Sequence, residues 1–150
     1  GYRATDAATL EAMYENTREE GFGEEVKRRI LIGNYVLSSG YYDAYYKKAQ
    51  GVRALLQESM ENTFKEVDLL ASPTSPVPPF RLGEKVDDPL SMYLTDICTT
   101  PASLTKLPSL SLPGGVTPDG LPVGVQITGR RFSELTLLQT AYAWEREAER

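Results

Sequence analysis

The chain has 150 residues, 41% of them hydrophobic and 25% charged, the range of one soluble globular domain with enough apolar material for a real core. Its 16 basic and 21 acidic residues leave a net charge of −5, so there is little positive surplus for gripping phosphates, and direct nucleic-acid binding is not expected. The absence of histidine and the single cysteine, Cys98, exclude an internal disulfide and any Cys–His or Ser–His pair, and no apolar run reaches the ~18 residues of a membrane-spanning helix.

This cysteine usage suits a reducing cytosol, with Cys98 as a small buried core residue. An opening on Gly1-Tyr2-Arg3, without Met or a signal-like segment, is what an internal fragment would show. The first half reads as helical. Asp6 is placed to cap a helix whose positions Leu10, Met13, Tyr14 and Thr17 recur at helical spacing and which Gly21 ends. A second helix is expected over residues 24–38, with Val26, Ile30, Gly33 and Leu37 on one face and Gly40 as its stop. Tyr45, Ala49, Val52, Leu56 and Met60 mark a third helical stripe. Tyr41, Tyr42, Tyr45 and Tyr46 occupy two faces, and at least two of them are expected to pack with their hydroxyls at the surface. Ser38-Ser39-Gly40 has the look of a nucleophile loop, but it ends one amphipathic helix and leads into another, so capping is its expected role.

The character changes at Val67. VDLLAS, between breakers, predicts a short buried strand, and PTSPVPPF predicts an ordered loop leaving that strand's end, of the kind that lines a ligand crevice. Asp87-Asp88-Pro89 precedes a short helical piece carrying Met92, Tyr93 and Asp96. Residues 109–112 and 123–128 read as two further strands, with Pro118-Asp119-Gly120 as the turn between them. Ser133 is expected to cap a last helix with Leu135, Leu138 and Tyr142 on one stripe. Phe132 and Leu137 are spaced for a hydrophobic staple around that cap. Helices alternating with short strands make the fold class α/β. Gly114-Gly115 lacks the rest of a phosphate loop, and no residues have metal-ligand spacing.

Two side chains stand out. Arg29 lies roughly 60° from the centre of the Val26–Leu37 stripe, whereas Lys27 and Arg28 point well away from it. A guanidinium at the edge of an apolar face needs an anionic partner. Spacing alone favours a salt bridge over an anionic ligand. Asp96 has two possible roles as well: hydrogen bonding with Thr99 and Thr100 at a helix start, or holding a cationic group. An Arg and an Asp facing one cleft would suit the carboxylate and ammonium of an α-amino acid.

The stretches EGFGEEVKRRILIGNYVLSSGYYDAYYKKAQGVR, LLASPTSP, DDPLSMYLTDICTTPASLTKLPSLSLPGG and GLPVGVQITG closely resemble the amidase signature family, over essentially the whole chain. LPSLSLPGG and GLPVGVQ are shared across family amidases, whereas SSGYYDAYYKKAQ resembles the branch that serves as the A subunit in aspartyl/glutamyl-tRNA amidotransferases. The resemblance implies the C-terminal part of the amidase signature fold, a mixed sheet flanked by helices, as a fragment of a single amidase domain. Residues 1–66 would be mainly helical, 67–131 strands and pocket loops, and 132–150 the last helix. It implies that the catalytic Ser, cis-Ser and Lys lie upstream, so the fragment carries no catalytic residue and is expected to be inactive alone.

It further implies a glutamine clamp, with Arg29 for the α-carboxylate (Arg28 being the neighbouring fallback) and Asp96 for the α-amine. Ammonia from L-glutamine would pass to a B subunit, which uses ATP and Mg²⁺ on a mischarged tRNA, while a C subunit wraps the pair. No cofactor is then expected in this chain, and tRNA would be met only through the B subunit, in the cytoplasm or an organellar matrix. Two other readings compete. A general amidase acting on an apolar amide would have no use for a charged pair. A non-catalytic binding or scaffold domain would leave sheet surface exposed.

Overall fold

A computed structural model describes residues 1–84 and 88–148 of the chain. Asp87, the first residue of the predicted helix start, lies outside the described residues. The chain forms two compact units, divided after Gly51.

In the first unit, helix α1 (Leu10–Gly21) is capped by Thr9, whose hydroxyl accepts from the Ala12 N–H at 3.1 Å. This corrects the expectation for Asp6. A cap must immediately precede the first turn to reach its free N–H groups, and Thr9 occupies that place. Helix α2 (Glu24–Leu37) runs as predicted. It ends at Ser38, whose hydroxyl donates to the Tyr35 carbonyl at 2.7 Å, so Ser38 serves the helix end. Gly40, at φ +89°, takes the left-handed backbone that a side chain would resist.

The third predicted helix does not begin as an α-helix. Residues Tyr42–Lys47 form a π-helical turn, and α3 (Lys48–Thr63) follows. Such wide turns leave no mark in a 3.6-residue period. The rings of Tyr35 and Tyr41 lie 4.2 Å apart, and those of Tyr42 and Tyr46 5.0 Å. A hydrogen bond with Tyr41 holds the Tyr35 hydroxyl above the usual tyrosine range.

In the second unit, β1 (Leu69–Pro73), β2 (Ser109–Val116) and β3 (Pro122–Gly129) pair antiparallel in the order β1-β3-β2. Pro73 is tolerated because β1 is an outer strand of the three. Its residues are half-buried or exposed rather than fully buried, since only one side of the strand packs into the core. The β2–β3 hairpin closes through Gly120 (φ +81°), whose N–H donates to the Thr117 carbonyl at 2.9 Å. The predicted turn is therefore the observed one.

Strand alternation divides the sheet into two faces. On the apolar face, Leu112 and Ile127, flanked by Leu69 and Leu110, pack against Leu137 and Ala141 of α6 (Glu134–Ala148). The predicted stripe of Leu135, Leu138 and Tyr142 is instead exposed. The two alternatives arise because α6 carries apolar residues around much of its circumference, and the sheet takes the pair at i, i+4. The staple also fails. Phe132 has φ +65° and is 86% exposed, while Leu137 is sealed in the core. Ser133 does precede α6, but its hydroxyl donates back to the Arg130 carbonyl at 2.7 Å. At the other end of α6, Trp144 Nε1 donates to the Pro113 carbonyl at 2.9 Å.

Leu137 is 3% exposed, so truncating it removes buried contacts and leaves a cavity under the sheet. Leu137→Ala is expected to lower unfolding stability by about 3 kcal/mol in urea titration. An unchanged urea midpoint would show that α6 does not depend on this contact.

Candidate functional site

The second face of the sheet presents Ser72, Ser109, Ser111, Gln126 and Thr128. Its polar atoms are paired across strands: Ser109 Oγ lies 3.0 Å from Thr128 Oγ1, and Ser109 Oγ also donates to the Ile127 carbonyl at 3.1 Å. At the β1 end an open cavity of about 1090 Å³ lies between the proline-rich loop and the adjoining ends of β2 and β3. Pro76, Pro79, Phe80 and Val123 give it an apolar lining. Thr74 and Ser111 add a hydroxyl pair 2.7 Å apart. The loop is thus the crevice wall that its prolines predicted.

Gly124 fixes that wall. Its carbonyl accepts from the Thr74 N–H at 3.0 Å, tying the loop to β3. A Cβ at this position would stand 2.7 Å from Thr74 Oγ1 and 3.1 Å from Ser111 Oγ. Gly124→Ala is therefore expected to separate the hydroxyl pair and to cost about 1–3 kcal/mol, measurable by thermal or urea unfolding. A variant of wild-type stability would mean that the loop yields freely.

Asp96 lies in the turn joining α4 (Pro89–Leu94) to α5 (Thr100–Thr105). Asp88 caps α4 by accepting from the Ser91 N–H at 3.1 Å, with Pro89 at the first helical position, as the sequence indicated. The expected bonds from Thr99 and Thr100 also form, but to the main chain of Asp96. Its carbonyl accepts from their N–H groups at 3.1 and 2.9 Å and from their hydroxyls at 3.1 and 2.8 Å. The side chain of Asp96 is exposed, and among the described residues its carboxylate takes no hydrogen bond or ion pair.

Cys98 is half-buried rather than a core residue, because its segment lies over the polar face instead of the apolar one. Its carbonyl accepts from Gln126 Nε2 at 3.0 Å. Gln126 escaped the sequence reading. Its signal was a lone amide within the strand run VGVQITG, although a partner 28 residues away cannot be read from spacing.

Arg29 lies on α2. Its Nε donates to Glu25 Oε1 at 3.0 Å, one turn earlier, and the side chain is 65% exposed. Glu25 also takes Arg28, at 3.0 Å, while Lys27 pairs with Glu24 at 3.1 Å. The salt bridge anticipated for Arg29 is therefore present. Exposed helical pairs of this kind contribute about 0.3–0.5 kcal/mol each. Arg29 belongs to the first compact unit and Asp96 to the second.

The family pattern described as Amidase matches residues 2–138. The A subunit of the glutamyl-tRNA(Gln) amidotransferase of Myxococcus xanthus (strain DK1622) is 60% identical over 147 residues, covering 98% of this chain and 30% of that protein. The solved structure of the corresponding glutamyl-tRNA(Gln) amidotransferase A subunit from Thermotoga maritima superposes with a TM-score of 0.59 at 48% identity, covering 82% of this chain and 27% of that one. A crystal structure described as an amidase superposes with a TM-score of 0.68 at 24% identity over 90% of this chain and 32% of its own, a likeness of fold alone. The chain spans about 30% of the length of the curated relatives it matches. With the α/β architecture, the family pattern and a close relative in agreement, the chain belongs to the amidase family.

Proposed function

We propose that the chain supplies the amino-acid-binding part of the ammonia-producing subunit of a tRNA-dependent amidotransferase. The observation that carries this reading is the 60% identity to the A subunit of a glutamyl-tRNA(Gln) amidotransferase, sustained over 98% of the chain. Arg29 binds the α-carboxylate of L-glutamine, with Arg28 as the neighbouring alternative, and Asp96 binds its α-ammonium. The exposed, uncommitted carboxylate of Asp96 and the anchored turn beneath it support that assignment. Holding both charged ends fixes the amino acid in the site alike before and during attack on its side-chain amide, so that the clamp contributes chiefly to affinity.

The Ser–Ser–Lys set that attacks the amide belongs to the part of the full-length protein beyond this chain. Its lysine activates the nucleophile through the bridging serine. The fragment alone is therefore inactive. Ammonia passes to a B subunit that binds ATP, Mg²⁺ and the mischarged tRNA, and a C subunit joins the two. A general amidase acting on an apolar amide would gain nothing from a paired cation and anion.

The deciding experiment assembles the full-length protein with its B and C partners and follows ammonia release from L-glutamine together with amidation of Glu-tRNA(Gln) or Asp-tRNA(Asn). Both activities are expected. Hydrolysis of aryl or aliphatic amides in preference to glutamine would replace this reading by that of a general amidase.

A further inference from the structure

The bond between Gln126 and Cys98 joins the centre of the sheet to the turn that carries Asp96. Gln126 is 7% exposed on the middle strand β3. A buried amide is costly unless its donors are used. Its Nε2 donates to the Cys98 carbonyl at 3.0 Å, two residues beyond Asp96. Within the same turn, the Asp96 carbonyl gathers the N–H groups and hydroxyls of both Thr99 and Thr100 at 2.8–3.1 Å. The turn is internally braced by the threonines and anchored to the sheet by the glutamine.

We propose that Gln126 is a positioning residue for the amino-acid site: through the Cys98 carbonyl it sets where the Asp96 carboxylate stands, with Thr100 as a second brace. The inference rests on Asp96 being the ammonium-binding acid. Gln126 does not touch substrate. Its contribution is to the affinity for a ligand bearing an α-ammonium, because that is the group whose partner the tether places.

Gln126→Met keeps the length and approximate volume of the side chain and removes its donor. In the full-length protein complexed with its partners, this change is expected to raise the KM for L-glutamine roughly tenfold while kcat stays within about twofold. Thr100→Val, at an exposed position outside the core, is expected to give a smaller rise of the same kind. Glutaramate, which keeps the amide and carboxylate but lacks the α-amine, should inhibit wild type and both variants with the same Ki, so that it competes better against L-glutamine in the variants.

Equal weakening of glutaramate and L-glutamine, or a fall in kcat with KM unchanged, would overturn the inference and leave Gln126 with a purely structural role. An L-glutamine KM raised by Asp96→Ala but not by Gln126→Met or Thr100→Val would overturn it while the reading of Asp96 stands. An unchanged KM in Asp96→Ala would remove that reading and this inference with it. Should Gln126→Met fail to assemble, Thr100→Val decides by the same division between KM and kcat.

Discussion

Replacing Asp96 with alanine in the full-length protein, complexed with its partners, is expected to raise the KM for L-glutamine by about 10–100-fold. That is the range for losing one charge-assisted contact to an ammonium group. The effect should fall mainly on KM, because an ammonium held by Asp96, as proposed, would be bound alike before and during attack on the distant amide. Asp96→Asn keeps the oxygen acceptor without the charge and should lie between wild type and alanine. Assembly should persist in both variants. The four hydrogen bonds that brace this turn end on the main-chain carbonyl of Asp96, which neither substitution removes. The exposed carboxylate, for its part, supports no other described side chain. Steady-state ammonia release against glutamine concentration, alongside gel filtration of the complex, checks both halves of the prediction. Unchanged release with an intact complex would reduce Asp96 to a residue of the turn.

The separation of roles at Asp96 also shows what the sequence could disclose. Features governed by neighbouring residues were legible: the Asp88–Pro89 helix start, the Gly120 turn, the end of α2 at Ser38 and a salt bridge for Arg29, whose partner is Glu25. Each is decided within about one helical turn of chain. The mistakes arose where a distant partner chose among locally equivalent options. Helix α6 offers apolar residues in more than one direction, and only the sheet selects Leu137 and Ala141 over Leu135, Leu138 and Tyr142. Phe132 was spaced for a staple, yet its left-handed backbone leaves it exposed. Thr9 and Asp6 were both able caps by chemistry, and the actual start of α1 distinguished them. The site follows the same division. Periodicity located Arg29 and the threonines named the turn of Asp96, but the glutamine-clamp role came from family resemblance. The tether from Gln126 spans 28 residues and required the fold.

Arg29→Ala in the same assembled complex is expected to lower kcat/KM for L-glutamine by about a hundredfold, the scale of losing a charge-assisted contact to a carboxylate. Arg28→Ala is the internal comparison. Both arginines are exposed on α2 and pair with Glu25 at 3.0 Å, so each substitution removes one ion pair of the same kind. If helix pairing were the whole role of Arg29, each substitution would cost only the ~0.3–0.5 kcal/mol typical of such a pair and would leave glutamine kinetics alike. A large loss confined to Arg29 therefore cannot be ascribed to the broken salt bridge and marks the carboxylate-binding residue. A large loss confined to Arg28 transfers the role to its neighbour. Arg29→Lys sharpens the test, since lysine keeps the charge but not the planar pair of donors that matches a carboxylate, and it should restore little of the lost activity. Recovery to wild-type kinetics in the lysine variant would show that position 29 supplies only positive charge to the pocket.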